Sequence, residues 1–141
     1  MSDPVLDFVS CPDQQGKHRM AYWSWGEPSA SHVVVCVHGL TRQGRDFDLL
    51  AQGLVASAKT ANLPAIRVIC PDVAGRGQSE WLKKPMAYQF AQYAGDMAVL
   101  LQTLNAQQPM KRLDWVGTSM GGVIGMLLAA QALPTPVHRL V

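Results

Sequence analysis

An unbroken apolar run, Val33-Val-Val-Cys-Val37, constrains the fold of this chain more than any other feature. A strand with one face in water alternates apolar and polar residues, and this run does not alternate. Both faces of the strand must therefore be covered, which is typical of a parallel sheet lying between layers of helices. A second apolar run, at residues 65–70, predicts a neighbouring strand of the same kind.

Strand-like and helix-like segments alternate along the rest of the sequence. This alternation predicts an α/β fold, a mostly parallel sheet with helices on both faces, joined by right-handed crossovers. The aromatic segment 19–25 is expected to be antiparallel and near an edge. All of this fits one domain, residues 1–141. The predicted strands are 6–9, 19–25, 33–37, 65–70, 113–116 and 137–141, and the predicted helices are 47–58, 87–105 and 120–132.

The predicted helices carry more specific expectations. Asp46 stands where an N-cap residue would precede the first helix. In the second helix, Asp96 is expected to be solvated or to act as a cap. The third helix, residues 120–132, is apolar nearly all round, so we expect it to be buried on every side.

Composition excludes several classes of function. Twelve basic and ten acidic residues give a net charge of +2, and no basic run exceeds two residues, so neither a nucleic acid nor a membrane is an expected partner. The N-terminus has no secretory pattern, and no apolar segment approaches the roughly 20 residues of a membrane span. The three cysteines are widely spaced, without a Cys-x-x-Cys pair. We therefore expect a cytoplasmic protein without a metal.

The strongest chemical signal is the segment Gly117-Thr-Ser119-Met-Gly121, which joins a predicted strand to a predicted helix. A chain that turns from strand to helix within one residue holds that residue in a strained conformation. Two residues before and after it, close neighbouring backbone leaves room only for glycine. The pattern predicts that Ser119 exposes its hydroxyl at a helix N-terminus, where backbone N–H groups stabilise negative charge. Ser119 is thus the candidate nucleophile.

Two other interpretations of this segment remain open. It could be a glycine-rich turn that serves packing alone. It could also bind phosphate, although it lacks the lysine of a Walker motif and its glycine spacing differs from G-x-G-x-x-G.

Three motifs together resemble the α/β-hydrolase family. The first is the G-x-S-x-G segment in its strand–turn–helix context. The second, Val37-His-Gly-Leu40, resembles the family's His-Gly loop after its third strand. The third, Pro71-Asp-Val-Ala-Gly-Arg-Gly-Gln-Ser79, resembles its P-D-x-x-G-x-G-x-S loop after the fourth strand. The resemblance covers most of the chain.

The resemblance implies roles for several residues. Ser119 would be the nucleophile, and the backbone amides of Leu40 and Met120 would form the oxyanion hole. His38 and Asp72 would shape their loops rather than act as base and acid. The substrate would be a small acyl compound, and no cofactor would be needed.

The family's chain order of Ser, then acid, then His is incomplete here. After Ser119 the sequence contains no Asp or Glu and a single histidine, His138. We expect His138, His18 and His32 to lie on the surface. The chain also ends within an apolar strand, and it lacks the family's C-terminal strands and cap. The sequence therefore predicts the N-terminal part of an α/β-hydrolase, without its catalytic acid and His, either as a fragment of a longer enzyme or as a truncated gene product. The alternative is a complete small protein with a hydrolase-like half fold, which the end inside an apolar strand disfavours.

Two hypotheses about function follow. In the first, the parent protein is a serine hydrolase of esters, thioesters or related acyl substrates, and this chain alone is inactive. In the second, the chain is a non-catalytic, hydrolase-like binding domain or pseudoenzyme.

Overall fold

The computed structural model describes residues 3–141 and contains one six-stranded sheet. The spatial order of the strands is β1-β2-β4-β3-β5-β6. Short 3-10 turns at Gly44–Phe47 and Pro85–Ala87 precede the first two helices. The elements are β1 Val5–Asp13, β2 Gly16–Gly26, β3 His32–Val37, α1 Asp48–Thr60, β4 Ile66–Pro71, α2 Phe90–Gln107, β5 Arg112–Gly117, α3 Met120–Ala129 and β6 Val137–Leu140.

The sheet is mostly parallel, as its apolar central strands predict. β3 pairs in parallel with β4 and β5, and β5 pairs in parallel with β6. β1 and β2 form an antiparallel hairpin that joins the edge of β4. Val33 to Val37 are all buried, because helices cover both faces of β3.

Two apolar cores lie on opposite faces of the sheet. One core combines strand residues with α2 and α3, through side chains such as Leu101 and Ile124. The other combines strand residues with α1, through Ala51 and Ala58, and with the preceding Phe47. The expected arrangement of helices on both faces is therefore confirmed.

Two expectations about the helices are wrong. Asp46 does not cap α1, which begins at Asp48 without a side-chain cap; Asp46 instead binds the Arg42 guanidinium. α3 is not buried on every side, since Met126 is 56% and Leu127 40% exposed. Within residues 3–141, the covered side of α3 faces α2 and the strands β3, β5 and β6. None of the helices described there combines the length and apolar composition needed to cross a bilayer.

A buried ionic cluster joins the β1–β2 hairpin to α2. His18 is 3% exposed, and its Nδ1 and Nε2 lie 2.7 Å from carboxylate oxygens of Asp13 and Asp96 respectively. Asp96 also accepts a hydrogen bond of 2.7 Å from Gln92. The surface position expected for His18 and the solvated or capping role expected for Asp96 are therefore both wrong, because each group is buried against the other.

The cluster favours a protonated imidazole. Burial opposes the charge, but hydrogen bonds to Asp96 and Asp13 outweigh burial and raise the pKa of His18. The bond to His18 lowers the pKa of Asp13, whereas burial raises that of Asp96. The Cys11 thiol lies beside the cluster. Its Sγ, a ring nitrogen of His18 and a carboxylate oxygen of Asp96 lie within 4.8 Å of one another. Burial raises the pKa of this thiol, which keeps it protonated at neutral pH.

We expect His18 to make the free energy of unfolding fall as the pH rises from about 6 to about 8, against an opposite contribution from His38, whose pKa is lowered by burial. An unfolded histidine loses its proton near pH 6.5, while His18 keeps its proton to a higher pH, so the folded state binds more protons across this window. His18→Gln should remove the contribution of His18 to the pH dependence. Near pH 6, it should also lower the free energy of unfolding by about 3 kcal/mol, because two carboxylates lose their buried partner. Urea unfolding measures both effects. The exposed His138→Gln variant is the control, and an unchanged slope in His18→Gln would refute the assignment.

Candidate active site

The chain turns sharply from β5 into α3 at Ser119. This residue has φ 53° and ψ −112°, and Asn62 is the only other non-glycine residue with a positive φ in the described range. The Ser119 carbonyl accepts hydrogen bonds from the amides of Gly122 at 2.9 Å and Val123 at 3.2 Å, which begin the helix. Ser119 is exposed, so its hydroxyl stands at the helix N-terminus and faces solvent.

Close backbone packing explains the glycines on either side of Ser119. A Cβ at Gly117 would overlap the backbone of Gly121 and Gly122. A Cβ at Gly121 would overlap the carbonyl of Val37 at the end of β3. Larger residues at either position would push α3 away from the sheet.

The His-Gly loop lies beside this turn because β3 and β5 are parallel neighbours that end together. Val37 is paired with Gly117, and the Thr118 amide donates to the Val37 carbonyl at 3.0 Å. A Cβ added to Gly39 would stand 3.7 Å from the Ser119 Cβ. The next residue, Leu40, therefore lies close to Ser119, as does Met120 at the start of the helix.

The backbone amides of Leu40 and Met120 are the two that the family resemblance assigns to an oxyanion hole. Neither donates a hydrogen bond to another group within residues 3–141. The Leu40 carbonyl, by contrast, accepts a hydrogen bond of 2.9 Å from Arg76 Nε, which fixes this part of the loop.

His38 is buried, and both nitrogens of its ring form hydrogen bonds to the backbone of the loops around it. Its Nδ1 donates to the Gly39 carbonyl at 2.7 Å, and its Nε2 accepts from the Val73 amide at 2.9 Å. Burial lowers the pKa of His38, which keeps the ring neutral. Since both ring nitrogens are engaged, His38 has none left to take a proton from Ser119.

Asp72 has a similar position in the loop after β4. Its carboxylate accepts the amides of Gly44 at 2.7 Å and Gln78 at 2.8 Å, and the residue is 1% exposed. The Ser79 hydroxyl donates to the Asp72 carbonyl at 2.6 Å. These contacts join the loops after β3 and β4, in line with the structural role that the family resemblance implies.

The remaining histidines lie away from Ser119. His32 begins β3, at the opposite end of the sheet, where it is 26% exposed and pairs with Asp114 at 2.7 Å. His138 is exposed at the start of β6, as expected. Among the described residues, none brings a free imidazole to the Ser119 hydroxyl.

Arg76 is a residue of this region that the sequence analysis did not single out. Besides binding Leu40, it donates from Nη1 to the Ala74 carbonyl at 2.8 Å and to the Tyr93 hydroxyl at 3.0 Å. The signal available in the sequence was its position between Gly75 and Gly77, which indicates a tight loop; the structure holds both glycines at positive φ.

Comparison with known proteins agrees with this architecture. Residues 32–141 match the family model described as the alpha/beta hydrolase fold. The chain belongs to this family. Within it, the chain is 36% identical to an alpha/beta hydrolase from Novosphingobium aromaticivorans, with a TM-score of 0.71 over 92% of this chain and 40% of that one.

Two curated relatives carry names that describe an activity. The chain is 49% identical over 140 residues to the 3-hydroxybutyrate-oligomer hydrolase of Cupriavidus necator. The matched region is 99% of this chain and 43% of that protein. It is 34% identical over 115 residues to Lipase LipV of Mycobacterium tuberculosis, covering 81% of this chain and 37% of that lipase. The chain thus spans less than half the length of either relative.

Substituting the second glycine of the turn tests the packing of α3 against β3. Gly121→Ala should lower the free energy of unfolding by about 2–3 kcal/mol, because its Cβ meets backbone that cannot yield. The matched control is Gly122→Ala, whose Cβ finds its nearest neighbour at 3.5 Å and should be neutral or stabilising. Urea unfolding compares the two, and equal effects would contradict the proposed packing.

Proposed function

We propose that the protein is a serine hydrolase in which Ser119 is the nucleophile and the amides of Leu40 and Met120 form the oxyanion hole. The observation that carries the proposal is the exposed Ser119, held at φ 53° at a helix N-terminus. A strained, non-glycine residue at such a turn is typical of a functional site. The amide of Leu40, in the loop after β3, and the amide of Met120, at the start of α3, supply the donors that an oxyanion needs.

The reaction is an acyl transfer in two steps. Ser119 Oγ forms a bond to the ester carbonyl carbon while its proton passes to a base, and the carbonyl oxygen becomes an oxyanion that the two amides stabilise. The intermediate collapses, the ester C–O bond breaks, and the alcohol leaves with the proton. Water then attacks the acyl-enzyme and releases the acid and Ser119.

The catalytic acid and base are assigned to residues outside this chain. The family order places them after the nucleophile, where these 141 residues contain no Asp or Glu and only the exposed His138. The relatives extend well beyond the matched region, since the chain corresponds to 43% of one and 37% of the other.

The substrate class is an ester of a short hydroxy acid. This assignment rests on the 49% identity with a protein named 3-hydroxybutyrate-oligomer hydrolase. The lipase relative also bears the name of an ester hydrolase, so both names agree with the chemistry proposed for Ser119. A non-catalytic binding domain remains the alternative, favoured by the lack of an acid and a base among these residues.

A fluorophosphonate probe tests the nucleophile directly. The full-length gene product should be labelled, and Ser119→Ala should remove at least nine-tenths of the label because the reactive oxygen is gone, roughly the loss expected when a nucleophile is deleted. Ser57→Ala, at an exposed serine of α1, is the matched control and should retain full labelling. Persistent labelling of Ser119→Ala would refute the nucleophile, and no labelling of any form would favour the binding domain.

Residues 1–141 produced alone should not turn over p-nitrophenyl acetate. Without a base, the Ser119 hydroxyl is a poor nucleophile, and only the weak effect of the oxyanion hole and binding remains. Turnover is compared with the full-length gene product at equal concentration. Rates within tenfold of each other, abolished by Ser119→Ala, would show that the chain contains all the groups required.

A further inference from the structure

A cleft of about 370 Å³ lies between the loops that follow β3 and β4. Arg76 in its lining donates to the Leu40 carbonyl at 2.9 Å, which links the cleft to the loop beside Ser119. Two arginines and one aspartate give its lining a net charge of 2 − 1 = +1. The lining residues are Thr41, Arg42, Gln43, Asp46, Arg76 and Gly77.

The arginines of this cleft retain unused hydrogen-bond donors. Arg42 is 67% exposed and reaches the Asp46 carboxylate through Nε alone. Arg76 uses Nε and Nη1 for Leu40, Ala74 and Tyr93. Among the described residues, the terminal nitrogens of Arg42 and the Nη2 of Arg76 have no hydrogen-bond acceptor. A planar guanidinium with free N–H groups matches the geometry of a carboxylate.

The distance from Ser119 fits one unit of a hydroxy-acid ester. Neighbouring strands lie about 4.8 Å apart. In the order β4-β3-β5, the ends of β3 and β4 are therefore about one and two such steps from the end of β5, which Ser119 follows. An extended chain advances about 3.5 Å for every three backbone bonds, so a 3-hydroxybutyrate unit of four bonds spans about 5 Å. A carboxylate one or two units from the reacting carbonyl therefore reaches the cleft.

An oligomer of a hydroxy acid differs from a neutral lipid ester in one respect that this cleft can recognise. Its acid end carries a free carboxylate, which is ionised at neutral pH because carboxyl groups of this kind have a pKa near 4. We infer that the cleft binds this terminal carboxylate through Arg42 and Arg76, and so selects acidic ester oligomers. The inference rests on the proposed function and adds the group on the substrate that is recognised.

Arg42 is the residue to vary, because Arg76 also holds the Leu40 carbonyl. The assay compares kcat/KM of the full-length gene product for the dimer of 3-hydroxybutyrate and for its methyl ester, which lacks the charge. Arg42→Gln should reduce the preference for the free acid about threefold to tenfold, the range expected for a partly exposed charge-assisted hydrogen bond. Arg42→Lys should restore part of the preference, and added salt should weaken it in the wild type.

Arg45→Gln is the matched control. It removes the same charge three residues away, from a side chain that pairs with Asp48 and stacks on Trp23 outside the cleft. Its preference for the free acid should equal that of the wild type. Equal losses in Arg42→Gln and Arg45→Gln, or a preference unchanged by Arg42→Gln, would overturn the carboxylate site.

A binding measurement separates this inference from the proposed chemistry. In Ser119→Ala, nuclear magnetic resonance titration with 3-hydroxybutyrate should show binding that Arg42→Gln weakens and Arg45→Gln does not. If this binding is seen but the full-length gene product hydrolyses neither ester, the proposed function fails while the carboxylate site stands. If Ser119-dependent hydrolysis is seen without a charge preference, the site fails while the proposed function stands.

Discussion

The contact of Gly121 with the Val37 carbonyl is the constraint on which this end of the molecule depends. It lets α3 begin directly against the end of β3, two residues after the strand–helix turn. Because backbone touches backbone there, the amides of the turn and of the neighbouring loop keep a fixed separation. Any side chain in this position would act as a spacer and separate Ser119 from Leu40.

Polar side chains hold the loops next to this backbone contact in place. His38 and Asp72 use their side chains to bind amides of neighbouring loops, so neither has to be solvated and neither is free to react. Arg76 adds a third anchor through the Leu40 carbonyl. Donors held in this way need no reorganisation when negative charge develops, which is the general basis of electrostatic preorganisation. These hydrogen bonds therefore hold the loops in place next to the residues that the proposed chemistry uses.

The sheet and the turn were predictable because their signals are local. The run from Val33 to Val37 indicates burial on both faces by itself, and the glycine spacing around Ser119 follows from a single change of backbone direction. The cluster of His18 and Asp96 was not predictable, because the two residues are 78 positions apart and neither has a distinctive neighbour in sequence. The exposed side of α3 was also missed, since an apolar helix gives no indication of how many neighbours will cover it.

The backbone conformation at Ser119 has a consequence for which substitutions this position accepts in evolution. A φ of 53° is easy for glycine and unfavourable for serine, so folding alone favours glycine at this position. A lineage released from selection for a hydroxyl would gain stability by losing it, whereas most substitutions destabilise. Serine at residue 119 runs against the conformational preference of the fold, so under the proposed chemistry its replacement by glycine would mark a copy of the domain that has lost that chemistry.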